Sequence, residues 1–150
     1  MAYRNSRRLR EFYQSQVDRI LVLLDRQYQE GAISTDAYLS MCEQRGILPD
    51  DNNMPPELSD YPHEVQVAFL ISTMLPDKWD GMSGMNFGKD YSSLGTLLDI
   101  YDVPQVDRPM MMFFLKQIEV RKADSDNKES KRRQAADKRK GMAKGPKVRK

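Results

Sequence analysis

Between Ser83 and Asp90 the chain reads SGMNFGKD, and a helix-like run, YSSLGTLLDIY, follows. Glycines ahead of a Gly-Lys pair at a helix start suggest a phosphate-binding loop. In such a loop the backbone N–H groups wrap the phosphates, the lysine neutralises them and a Ser or Thr hydroxyl holds magnesium. Aligned on Gly88-Lys89, this chain has Ser83 in place of the first glycine and Asp90 in place of the hydroxyl. A carboxylate there opposes a phosphate, and it is a natural helix N-cap. The strand that must precede such a loop is also missing, because Leu75-Pro76-Asp77 puts a proline where a central strand needs a donor. Gly81, Gly84 and Gly88 then read as a tight loop course around Trp79, with Asp90 capping the next helix. Asp77 with Asp80, and Asp50 with Asp51, are the carboxylate pairs available for acid–base or metal chemistry. Their Pro, Lys and Gly neighbours place them on loop surface, where neither carboxyl is desolvated enough to work. The lone His63 has no nucleophile assigned to it. The lone Cys42 excludes an internal disulfide and reads as a small buried hydrophobe. One Cys and one His supply no zinc set. The expectation is a protein without catalytic, metal or cofactor residues.

The elements that must position these residues are helical. Residues 6–29 carry Leu9, Phe12, Tyr13, Val17, Ile20, Leu21, Leu24 and Tyr28 at three- and four-residue steps. Gly31 stops that helix. A second follows, with Ser34 as cap, Asp36 in its first turn and Gly46 as its end. The two are expected to form a hairpin over 1–48, with Ile33 and Ile47 packing across its ends. Residues 49–61 read as a Pro- and Asx-rich linker. Residues 62–120 read as a helical core domain. Asp60 caps and Pro62 opens its first helix, HEVQVAFLISTML, which is apolar all round and therefore central. Tyr91, Leu94, Leu97, Leu98 and Tyr101 form one face of the next helix. Asp107 and Pro109 start the last, RPMMMFFLKQIEVRK. No alternating strand is apparent. The fold class is all-α, a small bundle of five or six short helices.

Charge is segregated along the chain. Residues 121–150 hold 13 Lys and Arg against 4 Asp and Glu, a net of +9; the first 120 residues hold 11 against 18, a net of −7. The 121–150 tail lacks an apolar face, so it should be mobile alone, or extend the last helix for some turns until Gly141, Gly145 and Pro146. Lys131, Arg132, Arg133, Lys138, Arg139 and Lys140 are its candidate contacts, with nucleic acid or with an acidic protein partner. No aromatic residue lies among them for base stacking. No apolar run approaches the roughly 20 residues that span a bilayer, and the basic N-terminus lacks a signal peptide's apolar segment. A reducing cytosol is the expected setting.

Met110, Met111, Met112, Phe113 and Phe114 form a dense apolar cluster. Met110, Phe113 and Phe114 are expected in the core. Three consecutive methionines point three ways around a helix, so part of the cluster faces outward. Met111, Met112 and Leu115, with Trp79, are the candidate partner-binding residues.

Read whole, the segment from Leu75 to Val120 resembles a pattern in small tail proteins of long-tailed bacteriophages, taken to be tail assembly chaperones that hold the tape-measure protein while the tail tube forms. The shared elements are Trp79 before a Gly81-Met82-Gly84 loop, and a helix start at Gly88, Asp90, Tyr91 and Leu94. Leu97, Leu98 and Asp99 follow, then an Asp107-Arg108-Pro109 restart and a helix reaching Glu119. Lys89 intrudes before Asp90, and the N-terminal hairpin and basic tail lie outside the pattern. The resemblance covers about a third of the chain. It implies a non-enzymatic phage protein that binds a helical partner such as the tape-measure protein. That protein would work in the cytoplasm of the infected bacterium, or be carried in the virion, and a homo-oligomer is compatible with it. A virion structural or nucleic-acid-associated protein, acting in packaging or transcription through the tail, is the alternative.

Overall fold

The computed structural model describes the backbone of residues 2–143 and the side chains of residues 13–140. Leu9, Phe12 and the Gly145-Pro146 stop fall outside those limits. Among the described residues there are five α-helices and one two-stranded hairpin: α1 Ala2–Tyr28, α2 Thr35–Arg45, α3 His63–Met74, β1 Asp77–Trp79, β2 Asn86–Lys89, α4 Leu94–Ile100 and α5 Arg108–Ala143. The fold is mostly helical, as its periodicities imply.

Ser34 accepts from the Ala37 N–H at 3.2 Å to start α2, and Gly46, in the left-handed conformation at φ 64°, ends it. Cys42 is buried, whereas Ile33 and Ile47 are about half exposed. The first helix, α1, lies along α5. Ile20 and Leu24 join Val65, Ala68 and Ile71 of α3, Leu98 of α4, and Met111, Phe114, Leu115 and Ile118 of α5 in one apolar cluster. The spacing 111, 114, 115, 118 is the inward stripe of a helix.

The proline-rich stretch before α3 is tied to α1. Arg26 donates to the Asn52 and Met54 carbonyls at 3.0 and 2.7 Å, and the Tyr61 hydroxyl donates to Gln27 at 2.7 Å. The stretch winds into two 3-10 turns, Asp51–Asn53 and Leu58–Asp60. Asp60 accepts from the Glu57 N–H within the second of them, so Pro62, not Asp60, stands at the N-cap of α3. That helix is central on one side only, because Leu70 and Met74 remain exposed.

One expectation for the second half is corrected. The loop after Leu75 is a β-hairpin, closed by Asp80 N–H to Met85 O and Gly84 N–H to Asp80 O, both 2.8 Å. Of the two readings of the tail, the helical one holds: α5 runs unbroken to Ala143.

Candidate functional site

Gly88 and Lys89, the pair that first suggests a phosphate loop, meet Glu119 of α5 through their backbone. One Glu119 oxygen accepts from the Lys89 N–H at 2.6 Å. The other accepts from the Tyr91 hydroxyl at 2.7 Å and the Lys116 ammonium at 2.6 Å. Lys116 also sits 4.6 Å from the centre of the Tyr91 ring. Gly88 lies flat against the same carboxylate, where a side chain would collide. Burial pushes the Glu119 carboxyl up, but the bonds from Lys116, Lys89 and Tyr91 outweigh it and hold the group below the ordinary glutamate range. Burial, then the Glu119 bond and charge, push the Tyr91 hydroxyl up.

Lys89 is not offered to a ligand. Its ammonium is buried, 2.8 Å from Asp77 and 3.1 Å from the Leu75 carbonyl. Lys122 reaches the other Asp77 oxygen at 3.4 Å. Burial raises the Asp77 carboxyl, and these two cations bring it below its usual value. Asp80 instead organises the hairpin turn by accepting from Ser83 and from the Met82 N–H, so the two carboxylates act separately. Asp90 accepts from the Ser92 N–H at 2.9 Å, while α4 starts only at Leu94 with Ser93 before it. The expected helix cap is therefore an Asx turn. It gives Tyr91 the room to reach Glu119 before the helix begins.

The outer edge of β2 is closed by α5. Asn127 accepts from the Asn86 N–H at 2.7 Å and donates to the Asn86 carbonyl at 3.0 Å, as a neighbouring strand would. The Asn86 side chain donates to Asp126 at 2.9 Å and accepts from the Gly88 N–H at 2.7 Å. Covering a strand edge in this way removes a template for unwanted pairing. Further along, Gln134 donates to the Ser83 carbonyl at 3.3 Å. An open groove of about 370 Å³ separates Trp79 and Gly84 from Asp126, Ser130, Gln134 and Asp137. Trp79 is half exposed beside it and does not anchor the loop, because Asn86, Gly88 and Lys89 occupy the inward positions. The tail is thus held to the hairpin by polar bonds, without an apolar face. The signal was present in sequence as small and polar residues at helical steps: Ala123, Asn127, Ser130 and Gln134. Asn86 and Glu119 gave no such warning.

The candidate partner patch turns around its helix. Met111 and Leu115 are 4% and 1% exposed and belong to the core, with Met112 half-buried. The outward row is Met110, Phe113 and Val120, exposed by 47, 40 and 62%. Met110 and Phe113 therefore reverse their expected burial, because α1 and α3 cover the stripe one position further round. Phe113 is braced edge-on against buried Phe114, ring centres 5.4 Å apart. Lys131, Arg132, Arg133, Lys138, Arg139 and Lys140 are all exposed. Glu30 stands 3.8 Å from Arg132, and Glu129 pairs with Arg133. His63 is exposed at the start of α3. Among the described residues no helix is long and apolar enough to cross a membrane, and no cluster of three His, Cys, Asp or Glu is arranged to hold a metal. Compared with family models, curated proteins and solved structures, the chain matches none of them.

Proposed function

We propose that the protein is a non-enzymatic phage-type assembly factor that binds an amphipathic helix of a larger tail protein, such as the tape-measure protein. It would shield that helix until assembly. The observation that carries this reading is the outward row Met110, Phe113 and Val120 on α5. These three side chains lie within about 80° of one another around the helix. They offer large apolar surface on a helix whose opposite face is fully packed. Helix-in-groove contacts are built from anchors at this spacing, and methionine beside a braced aromatic ring adapts to imperfect partners.

Two further features support the reading. The glycine turn and Lys89 are engaged within the fold. Also, the residues shared with the phage pattern (Gly88, Tyr91 and Glu119) are those that fix the hairpin to α5. A pattern carried by such residues reports a scaffold, and scaffold with an apolar row suits binding.

Co-expression with the tape-measure protein of the same phage tests this. Phe113→Glu and, separately, Val120→Glu should each weaken complex formation about tenfold or more, the scale of a desolvated interface anchor. Both should leave the melting temperature within a few degrees of the parent. A complex that tolerates both substitutions would remove the row from the interface. Retention of the protein in purified particles would make it a structural subunit instead of a departing chaperone.

A further inference from the structure

We infer that the last turns of α5 form a binding arm for duplex DNA, separate from the partner row and independent of the function proposed for it. The unbroken helix to Ala143 turns a basic tail into a rigid, shaped charge distribution. Each residue advances the helix by about 100°. Lys131 and Lys138 therefore share one side, Arg132 and Arg139 a second, and Arg133 and Lys140 a third. Members of each pair stand about 10 Å apart along the axis. Together the six cations cover an arc of roughly 220°. The remaining sector holds Ser130, Gln134 and Asp137 and faces the hairpin, where Gln134 meets Ser83.

That distribution selects the ligand. Between Lys131 and Lys140 the uncharged residues within the arc are Ala135 and Ala136. A helix docked on a protein needs apolar anchors at its centre, and protein interfaces are depleted of lysine there. Between Lys131 and Lys140 the arm has neither the anchors nor a single charged face. A concave polyanion is the complementary shape. The major groove of B-DNA, about 12 Å wide, accepts a helix and presents a phosphate row on each wall. The major groove of duplex RNA is too deep and narrow for a helix. Single strands are bound by stacking on aromatic rings, and residues 121–150 contain none. The alanines let the helix sit deep while the cations reach outward to both walls. Contacts of this kind are sequence-independent and strongly salt-dependent.

The test is fluorescence anisotropy of a labelled random-sequence DNA duplex with the full chain, titrated between roughly 50 and 200 mM salt. Lys131, Lys138, Arg139 and Lys140 form no ion pair among the described residues. Changing all four to Gln keeps good helix formers in place. The expected result is a log–log salt slope shallower by about three to four, and an affinity at 0.1 M salt lower by roughly a thousandfold. Circular dichroism and capture of the helical protein partner should be unchanged, which separates this site from the Met110–Val120 row. Duplex binding unaltered in the quadruple variant would overturn the inference. So would absence of duplex binding at 50 mM salt, equal binding of duplex RNA, or displacement of the DNA by an equal charge concentration of polyglutamate. The last result would assign the arm to an acidic protein.

Discussion

Gly88→Ala is expected to destabilise the protein by about 3–5 kcal/mol, one of the two largest single-residue effects foreseen. Two costs coincide at this position. The residue has φ +103°, a conformation that L side chains rarely adopt, and a new methyl group would overlap the Glu119 carboxylate. The first costs about 1–3 kcal/mol, and forced repacking adds about 1–3 more. Glu119 cannot simply swing away, because three donors hold it and leaving them unpaired in the interior is itself costly. For a chain of this size the loss corresponds to a fall in melting temperature of roughly 10–15 °C. Gly84→Ala is the control. It also has positive φ, at +65°, but nothing lies within 4 Å of the added atom, so only the backbone cost of about 1 kcal/mol remains. Urea denaturation of the two variants should separate them by at least 1.5–2 kcal/mol; equal midpoints would mean that Gly88 is not pressed against Glu119.

The second large effect belongs to Leu24→Ala, expected to cost about 3–5 kcal/mol. Leu24 has no exposed surface and sits in the cluster that α1 shares with α3, α4 and α5. Truncation loses the transfer energy of the removed atoms and leaves a cavity, a combination that costs a buried leucine about 3–5 kcal/mol. The informative readout is cooperativity. Because α1 contributes to the common core, probes placed in α1 and in α5 should unfold together at a single, lowered midpoint. A variant in which the N-terminal helices melt early while α3 to α5 keep the parental midpoint would mean that the two parts carry separate cores.

Much of the helical framework is legible in sequence because it follows from apolar periodicity and stop signals. Val17, Ile20, Leu21 and Leu24 mark α1. Ser34 and Gly46 bound α2 with the cap geometry their types imply. Leu98 is buried on α4, with Leu94, Leu97 and Tyr101 packed beside it. The hairpin escapes this logic. β2 turns Asn86, Gly88 and Lys89 inward and Phe87 outward, which inverts the usual pattern. The inversion works because β2 is covered by a polar stretch of α5, where Asn127 and Glu119 satisfy the backbone, not by an apolar face. The same cause hides the docking of the tail: a search for an apolar stripe passes over one made of Asn, Ser and Gln. The partner row fails differently. Met110, Met111 and Met112 are identical in type, and only the lie of α1 and α3 against α5 decides which of them points inward. Lys89 illustrates the limit most plainly. Gly-Lys before a helix reads as a phosphate motif, yet the lysine's charge is met by Asp77 inside the fold.

The central claim is that the Gly88–Tyr91 turn serves as scaffold, clamped on an ionised Glu119. Its most direct test is an NMR pH titration of the Glu119 carboxyl carbon in the folded chain. Donors from Lys116, Lys89 and Tyr91 favour the charged form, so the midpoint should fall below the ordinary glutamate value of about 4.3. The Lys89 amide proton should titrate with the same midpoint. By linkage, a lowered value means stability that is complete above about pH 4.3 and is lost as the pH falls through the folded midpoint. A Glu119 midpoint at or above 4.3, with a Lys89 amide indifferent to it, would show that the clamp does not exist.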